Sequence, residues 1–564
     1  MSERDIKQSE QGRTPELPTI VESHATTWHD GGAAVLLKDG SIIALSSERV
    51  GDRYRHSWNS RLAYEYLINI YQEDPKFEVT STENHFIDSA NGLENTGHHL
   101  YHAASTFYGS GFSNSGILVI DGQGPENGKR ASTTIWRGEN NKLSLLESPY
   151  LAEGDFAPQS IGHFYTAIGA MAGMKELHEE GKTMGLASYG KPSKYIDFLR
   201  KYTNTNPDGS YYINPNFIIG IFGNTLGPVH YGWSSPQPEA QKIWDEFMLM
   251  RGKPIRLANE DVSQDDMDIA FAGQVILEEI VLGLAQRTKN LTDSENLCLA
   301  GGVALNSVVN GKIVQSGLFK NVFIFPASGD DGQAIGKLFN NIHTLGLPIN
   351  TKSETAFYGP IYSKEQIITA IEKYQDKVET VDIKNKDFLE EIADRISSGK
   401  VIGWFQGGSE LGPRALGHRS ILADPRNANM REYINSQVKN REWYRPLAPV
   451  IIEEDVNAYF DTNTPSPFML LVSNVKEDKR DLLPAITHVD GSARLQTVNQ
   501  EQEPIFYGLL KQFQAKTGIP ILLNTSFNRK GEPIVETPEN ALEAFVNMKL
   551  DLLVLGDIVL QKKS

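Results

Sequence analysis

A repeated Asp-Gly loop beside short β-rich runs constrains the fold of this chain more than any other feature. In the first copy, Asp30-Gly31-Gly32 precedes the apolar run AAVLL, a turn at Lys38-Asp39-Gly40 and the run SIIAL. In the second copy, Asp121-Gly122-Gln123-Gly124 lies between the runs GILVI and ASTTIW. Because Asp-Gly is common in ordinary hairpins, either copy alone favours a simple turn. The two copies together predict a duplicated α/β domain whose loops let backbone N–H groups approach an anion.

A strand, a glycine turn and a helix follow one another further along the chain. Apolar residues at helical spacing cover about Asp265 to Lys289, and the next run, NLCLA, predicts a buried strand. Gly301-Gly302 comes next and leads into a helix from about Val303. This order of elements is a usual seat for a phosphate or nucleotide, because the helix N-terminus offers N–H donors. A tight connection that binds no ligand is the simpler alternative.

Loop-like residues between Thr351 and Tyr362 divide the chain into two parts. After them, helical patterns at Lys364–Tyr374 and Lys386–Ser397 alternate with short apolar runs that predict strands. The 564 residues are enough for several domains, at roughly 100–200 residues each. We therefore predict a disordered lead-in over 1–20, an α/β domain over 21–355 and a separate α/β domain over 356–564.

Composition excludes several classes of protein. The net charge of −17 argues against a nucleic-acid scaffold, which needs a basic surface. Cys298 is the sole cysteine, so the chain has no intramolecular disulfide and no Cys-rich zinc site. No apolar run approaches the ~20 residues of a membrane span, and Met1–Leu17 lacks the apolar core of a secretory signal. We therefore expect a cytoplasmic enzyme with no nucleic-acid or membrane partner.

Two histidines and two aspartates form a candidate metal site. His98 and His102 are four residues apart, so on a helix their imidazoles share one face, whereas His99 points elsewhere and has a structural role. Two histidines alone are more simply surface or core residues. Asp121 and Asp330 each follow a predicted strand, and strand ends in open α/β sheets meet at one crevice. This nitrogen and oxygen set suits Fe²⁺ or Zn²⁺ better than Mg²⁺.

Lys182 lies between the glycines of Glu180–Leu186 and is a candidate for a phosphate contact. A solvated lysine explains this segment nearly as well. Together with the Asp-Gly loops, Gly301-Gly302 and Asn306 at the start of the next helix, Lys182 makes a nucleotide clamp a coherent hypothesis.

A basic segment in the C-terminal part favours an anion pocket. From Leu411 to Arg445 there are seven basic and three acidic residues, a net charge of +4 within an acidic chain. Charge runs are usually solvated faces, but here the charges lie among turn formers and beside Trp443 and Tyr444. Arginine side chains bind phosphate oxygens at two points, which makes the pocket the sharper hypothesis. Asn524–Asn528, after the run IPILL, offers further short donors, with a simple turn as the alternative.

These motifs together resemble the NodU/CmcH family of O-carbamoyltransferases over about residues 25–562. The motifs that carry the resemblance are Trp28-His29-Asp30-Gly31, His98–His102, Gly181–Ala187, Gly301–Asn306, Gly412–Ser420, Ala423–Arg426, Arg441–Pro446 and Leu523–Asn528. The Gly-Pro-Arg-Ala-Leu-Gly-His-Arg-Ser run and Leu523–Asn528 are highly specific.

The resemblance implies both a fold and a reaction. The N-terminal part is expected to have the duplicated ATPase fold of actin and sugar kinases, and the C-terminal part a YrdC-like fold. Carbamoyl phosphate and ATP would give carbamoyladenylate in the YrdC-like domain. The N-terminal domain would then transfer the carbamoyl group to a hydroxyl of a small-molecule natural product, as in antibiotic biosynthesis. The implied cofactors are ATP with Mg²⁺ and a bound Fe²⁺, with Zn²⁺ as the alternative, and a homo-oligomer is compatible with the sequence.

The resemblance also implies roles for individual residues. The implied iron ligands are His98, His102, Asp121 and Asp330; the nucleotide contacts are Gly301, Gly302, Asn306 and Lys182; the contacts to carbamoyl phosphate and ATP phosphates are Arg414, Lys439, Arg445, Arg494, Asn524 and Ser526. Lys439 and Arg445 are further expected to act in catalysis. His29 falls beside the acceptor and is the candidate general base, because an imidazole with a near-neutral pKa suits the deprotonation of an alcohol.

Two other functions remain open at this point. A tRNA-modifying threonylcarbamoyl enzyme shares both domain types, although the acidic balance and the presence of both domains in one chain weigh against it. A non-catalytic nucleotide-binding regulator on the same ATPase fold is the second alternative, against which the complete Arg414, Lys439 and Arg445 set argues. Residues 48–56 depart from the Thr-Arg-x-Lys-His pattern of many relatives, so the identity of the acceptor stays open.

Overall fold

The computed structural model has a mixed α/β fold, as the sequence predicts. It describes residues 19–24, 30–50, 53, 60–71, 79–81, 97–126, 129–148, 157, 159–175, 178–226, 237–257, 260–383 and 387–563. The strands in these residues form sheets of four, five, nine and two strands. We call residues 19–353 the N-terminal part and residues 356–563 the C-terminal part.

The N-terminal part contains the first eleven strands. They are β1 Thr19–His24, β2 Gly32–Leu36, β3 Ile42–Ser46, β4 Val79–Ser81, β5 Asn114–Glu126, β6 Lys129–Glu139, β7 Lys142–Glu147, β8 Thr203–Thr205, β9 Tyr211–Ile213, β10 Asn296–Ala300 and β11 Asn321–Ile324. The helices of this part are α1 Ser60–Tyr71, α2 His98–Ser110, α3 Ile161–Met171, α4 Glu180–Ala187, α5 Lys194–Arg200, α6 Pro215–Thr225, α7 Pro238–Arg251, α8 Gln264–Thr292, α9 Ser307–Gln315 and α10 Gln333–Thr344.

The first two sheets repeat one topology. The first has the order β3-β2-β1-β4 and the second the order β7-β6-β5-β10-β11. Each begins with three antiparallel strands, and the next strand pairs in parallel with the first of the three. Asp30 precedes the second strand of its sheet, and Asp121 lies in β5 before β6. The predicted duplication is therefore present, but only Asp30-Gly31 lies between two strands, after β1, whereas Asp121–Gly124 lies within β5 at a shift of its register.

The C-terminal part is built on the nine-stranded sheet. Its strands are β12 Val378–Thr380, β13 Ile402–Phe405, β14 Arg419–Ala423, β15 Ala448–Ile452, β16 Leu471–Asn474, β17 Ser492–Val498, β18 Ile521–Ser526, β19 Leu552–Leu555 and β20 Ile558–Lys562. Its helices are α11 Lys364–Glu372, α12 Phe388–Ser397, α13 Met430–Tyr433, α14 Val456–Tyr459, α15 Pro504–Thr517 and α16 Pro538–Asn547. Helices α12 and α15 cover one apolar face, and α11 and α16 pack in the core of the other, so the sheet is buried between two helical layers.

One predicted strand is shorter than its apolar run. The run Phe468–Ser473 reads as a continuous strand, but β16 begins only at Leu471. Phe468, Met469 and Leu470 instead pack in the core that contains α3, α8 and α9 of the N-terminal part. The side-chain amide of Asn310 in α9 donates a hydrogen bond to the Leu470 carbonyl at 3.0 Å. One hydrophobic core therefore runs across both parts of the chain.

No helix among the described residues is both long and apolar enough to cross a bilayer.

Candidate functional site

Helix α2 brings two histidines to the end of β5. The helix begins at His98, directly after Gly97, whose φ of 59° gives the left-handed turn that starts it. His98 and His102 are each 1% exposed and face Asp121 in β5 and Asp330 in the turn before α10. One ligand atom from each of the four residues lies within 4.8 Å of the other three. The four residues predicted as metal ligands therefore come together.

The donor set fits a first-row transition metal. His98 Nε2 lies 3.1 Å from Asp121 Oδ2 and 3.4 Å from Asp330 Oδ1, and His102 Nε2 lies 3.2 Å from Asp330 Oδ1. Burial acts to lower the pKa of His98, but the carboxylates of Asp330 and Asp121 raise it overall. Two imidazoles and two carboxylates in a buried site match Fe²⁺ or Zn²⁺.

Neighbouring groups hold these candidate ligands in place. The backbone N–H of Gly302 donates to Asp121 Oδ1 at 2.8 Å, and Gln333 Nε2 donates to the His98 carbonyl at 3.2 Å. A Cβ atom on Gly124 would lie only 2.1 Å from the ring of His98, so the glycine makes room for that ring. Such surrounding contacts orient metal ligands and tune their affinity.

His99 lies outside this cluster, in line with its predicted structural role. Its Nδ1 is 2.9 Å from Thr134 Oγ1, and its Nε2 is 3.1 Å from the Ala131 carbonyl. Burial, together with the nearby His98, lowers the pKa of His99 to about 3. Both ring nitrogens are therefore engaged with β6.

Four arginines form a second cluster, on the C-terminal part. Burial lowers the pKa of Arg494 well below its usual value, and the charges of Arg414, Arg445 and Arg441 lower it further. Burial and the charge of Arg445 likewise lower the pKa of Arg414 to about 10. Cations that lie close enough to lower a neighbouring arginine's pKa are suited to an anion with several charged oxygens. We call these four residues the arginine cluster.

Two amide side chains support the loop that carries Arg414. Asn524 Nδ2 donates to Gln496 Oε1 at 2.8 Å and to the Ala415 carbonyl at 3.2 Å, and Gln496 Nε2 donates to the Leu416 carbonyl at 2.6 Å. Gln496 is two residues from Arg494 on β17, so both lie on one face of the sheet. Asn524 thus lies beside the loop that carries Arg414.

Several buried polar atoms of this region have no partner. Among the described residues, no hydrogen-bond partner exists for Arg414 Nε, Arg494 Nε or Asn524 Oδ1. Buried polar groups are normally paired, so three such atoms in one region are typical of a ligand site.

The side chain of Lys439 contacts the turn after β18 and is not part of the arginine cluster. Its Nζ donates to the Ser526 carbonyl at 2.7 Å and to the Asn528 carbonyl at 2.9 Å, and it lies 3.3 Å from Ser526 Oγ. The Lys439 ammonium therefore holds the turn that presents Ser526.

The residues predicted to contact a nucleotide each make contacts within the protein. Asn306 Oδ1 accepts from the backbone N–H of Val309 at 3.1 Å, so this side chain caps α9. Lys182 Nζ lies 3.1 Å from a carboxylate oxygen of Glu442 and also binds Glu179. Asn306 acts as a helix cap, and Lys182 forms an ion pair between the two parts of the chain. Gly301, with a φ of 87°, packs against β5, and a Cβ atom on it would lie 2.2 Å from the Ile120 carbonyl oxygen.

The segment Gly301–Asn306 touches both clusters. Its Gly302 N–H binds the metal-site carboxylate of Asp121, and its Leu305 carbonyl accepts a hydrogen bond from Arg414 Nη2 at 3.3 Å. The metal cluster and the arginine cluster are thus separated by the width of a short turn.

Some site residues were missed by sequence reasoning, and one prediction falls elsewhere. Glu410, Arg49 and Gln496 support the Arg414 loop but were not predicted; the position of Glu410 just before the Gly-Pro turn is a usable signal for it. His29, the predicted general base, lies outside the described residues, and residues 51–52 and 54–56 of the 48–56 segment do as well.

Comparisons with known proteins cover most of the chain. Residues 65–338 match the family model described as carbamoyltransferase N-terminus, and residues 393–562 match the model described as carbamoyltransferase C-terminus. Nodulation protein NolNO of Sinorhizobium fredii is 33% identical over 588 residues, which cover 96% of this chain and 80% of that protein.

Two further relatives extend the comparison. Uncharacterized protein sll1178 of Synechocystis is 39% identical over 493 residues, covering 83% of this chain and 76% of that protein. The 3'-hydroxymethylcephem-O-carbamoyltransferase of Amycolatopsis lactamdurans is 31% identical over 307 residues, covering 54% of this chain and 56% of that protein.

Proposed function

The chain belongs to the carbamoyltransferase family and is an enzyme, and we propose that it is an ATP-dependent O-carbamoyltransferase. In the proposed reaction, carbamoyl phosphate, ATP and water give carbamoyladenylate, phosphate and pyrophosphate. The carbamoyl group then forms a bond to the hydroxyl oxygen of a small-molecule natural product, while AMP and the hydroxyl proton leave. The relative named 3'-hydroxymethylcephem-O-carbamoyltransferase supports a hydroxyl acceptor.

Activation is assigned to residues 356–564, in a YrdC-like domain. Arg414, Arg445 and Arg494 would bind the phosphates of ATP and carbamoyl phosphate, with Asn524 and Ser526 as short donors beside them. Besides burial, Arg445 lowers the pKa of Arg414, and Arg414 and Arg445 lower that of Arg494, which supports this assignment because phosphate oxygens would offset the clustered charge. Positive charge held at the site of bond change is the main means of stabilising the transition state of phosphoryl chemistry.

Transfer is assigned to residues 21–355, in the duplicated ATPase-like domain. His98, His102, Asp121 and Asp330 would hold Fe²⁺, with Zn²⁺ as the alternative. When bound, such an ion supplies Lewis-acid stabilisation of negative charge on a carbonyl or phosphoryl oxygen. His29 is the proposed base for the acceptor hydroxyl, and ATP would enter with Mg²⁺.

The contact of one short segment with both clusters carries this proposal. Gly302 binds Asp121 and Leu305 binds Arg414, so an activated carbamoyl group would travel only across the turn Gly301–Asn306. Carbamoyladenylate hydrolyses in water, and a short passage beside a continuous core limits that loss.

The first test of the function follows the two products separately. Purified enzyme with ATP should release pyrophosphate only when carbamoyl phosphate is present, and mass spectrometry of pathway hydroxyl compounds should find the gain of one carbamoyl unit. Arg445→Ala should lower pyrophosphate release by about a hundredfold or more, because it removes a charge at the phosphate site. Pyrophosphate release at the same rate without carbamoyl phosphate would contradict the proposal. Retention of tRNA by the enzyme would favour threonylcarbamoyl chemistry instead.

A second test separates transfer from activation. His29→Asn should leave pyrophosphate release intact and block carbamoylation of the acceptor, because the amide cannot take up the hydroxyl proton at neutral pH. A normal product yield from this variant would remove His29 as the base while leaving the assignment of the arginine cluster standing.

A further inference from the structure

A single buried carboxylate closes the loop that carries Arg414. Glu410 is 1% exposed, and its Oε1 accepts hydrogen bonds from the backbone N–H groups of Leu416 at 2.7 Å, His418 at 2.9 Å and Arg419 at 3.1 Å. A carboxylate that gathers successive N–H groups fixes their orientation strongly, because these hydrogen bonds are charge-assisted. The intervening residues, Arg414 among them, are therefore held as a closed loop.

The N-terminal part clamps the same loop from the other side. Arg49, in the turn after β3, is 1% exposed, and its Nη2 donates to the Gly412 carbonyl at 2.7 Å. Burial acts to raise the pKa of Glu410, but the charges of Arg49, His418 and Arg419 lower it overall. Arg49 thus faces both the loop and the carboxylate that closes it.

The clamped loop has little freedom to shift. Gly412 has a φ of 108°, and a Cβ atom there would lie 2.6 Å from the carbonyl oxygen of Pro326 in the N-terminal part. Two residues further on, Arg414 binds the Leu305 carbonyl and adds its charge to the region around Arg494. The place of Arg414 in the arginine cluster therefore depends on contacts from both parts of the chain.

We propose that Arg49 and Glu410 are a pair of positioning residues that present Arg414 to an anionic substrate only when the N-terminal part is docked on the C-terminal part. The inference rests on the proposed function and adds that activation depends on contact between the two parts of the chain. Neither residue is assigned contact with the substrate: Glu410 shapes the loop, and Arg49 ties the loop to the domain that would receive the carbamoyl group. Activation would then be efficient only in a molecule that is closed for transfer.

Binding of inorganic pyrophosphate to the full-length protein, measured by calorimetry, tests the pair. Arg49→Met removes a charged hydrogen bond two residues from Arg414, and we expect the Kd for pyrophosphate to rise about tenfold. Arg49→Lys keeps a charged donor and should recover part of the affinity. Glu410→Gln keeps the side-chain shape but removes the charge that faces Arg49, and it should weaken binding in the same direction.

A matched variant separates positioning from general destabilisation. Arg251 is also buried in the N-terminal part, where its Nη2 binds Asp266 Oδ1 at 2.6 Å, and neither residue belongs to the metal cluster or the arginine cluster. Arg251→Lys should lower the melting temperature and leave the Kd for pyrophosphate unchanged.

The possible outcomes keep the two proposals distinguishable. Pyrophosphate affinity equal to wild type in Arg49→Met, Arg49→Lys and Glu410→Gln would overturn the positioning inference alone. If Arg49→Met does not fold, an unchanged affinity in the other two variants is sufficient to overturn it. Failure of the wild-type protein to bind pyrophosphate would overturn the proposed function together with the inference.

Discussion

The charge of Arg494 is expected to favour anion binding and to lower the stability of the ligand-free protein. It is held in a desolvated region where three other arginines lower its pKa. Like charges held close together out of water raise the free energy of the folded state, and an anion bound among them would offset that cost. Substitution at this residue should therefore affect stability and binding in opposite directions.

We expect Arg494→Met to raise the melting temperature of the ligand-free protein by about 2 °C, because it removes one of four repelling charges. The same variant should lose the thermal stabilisation that pyrophosphate gives the wild-type protein. Differential scanning calorimetry with and without pyrophosphate measures both effects. Arg200→Met, at an exposed pair with Glu279, is the control and should change neither quantity. A lower ligand-free melting temperature for Arg494→Met would contradict the interpretation.

Two histidines of α2, His102 inside the candidate metal site and His99 outside it, offer a second test at single residues. His102→Ala removes one of the four candidate ligands, so bound iron or zinc, measured by plasma mass spectrometry, should fall by about tenfold or more. His99→Gln breaks contacts to Thr134 and Ala131 and should lower stability by about 1–3 kcal/mol while metal content stays the same. Equal metal loss in both variants would argue against the site.

Asp330 and Lys182 show which site contacts the sequence predicts and which it does not. The sequence predicts Asp330 as a ligand from its place after a strand, and Asp330 lies within reach of His102. The second ion-pair partner of Lys182, Glu442, lies far away in the sequence. Spacing predicts which side chains share a helix face or a strand end, but it carries no information on partners that only the packed chain supplies.

At the scale of elements, β5 and α2 are fitted to each other at one glycine. The register of β5 shifts between Ile120 and Gly124, and Gly124 then passes under the ring of His98. The strand thus shapes the candidate metal site through the absence of a side chain. A substitution of Gly124 can therefore disturb the candidate metal site although no ligand residue is replaced.

We expect Gly124→Ala to lose most of its bound metal, because the new methyl group would overlap the His98 ring and displace it. The measurement is metal content after purification with iron supplied. Gly181→Ala is the matched control, since no atom lies within 4 Å of its new Cβ and a helical alanine costs nothing. Full metal content in Gly124→Ala would show that α2 can shift to accommodate the change.

Elements were predicted well where they are amphipathic or follow a clear boundary. Helix α8 extends over Gln264–Thr292 where the periodicity predicts about Asp265–Lys289. The apolar run from Phe468 predicts a longer strand than the structure has, because its first three residues pack in a core with helices of the N-terminal part. Hydropathy alone does not indicate which core an apolar residue enters. Strand β1 lay outside the predicted repeat for a simpler reason: it precedes the Asp-Gly signal that defined the repeat.

At the scale of the whole molecule, the two parts meet tightly along α9 and β16. A Cβ atom on Gly311 in α9 would lie 2.3 Å from the Val472 carbonyl oxygen in β16. Asn310, beside it, binds the Leu470 carbonyl. This seam lies next to the segment Gly301–Asn306 that touches both clusters. The fit of the two parts should therefore influence how much activated carbamoyl group reaches the acceptor.

We expect Gly311→Ala to separate α9 from β16 slightly, which would cost about 1–3 kcal/mol of stability and let water reach the passage. The ratio of pyrophosphate released to carbamoylated product should then rise above the wild-type value, while the rate of pyrophosphate release changes less. Both products can be measured in one reaction. Gly181→Ala again serves as the control with an unchanged ratio. An equal fall in both products would indicate that the seam supports only activation.

The excursion of Phe468–Leu470 into the opposite core limits how such a chain can be recombined. In a chimaera of two homologues joined at residue 355, the apolar side chains 468–470 of one parent would pack against N-terminal helices of the other. The Asn310 side chain would likewise have to bind the residue-470 carbonyl of the other parent. Shuffled libraries should therefore recover active hybrids mainly when residues 468–470 are inherited with the N-terminal half.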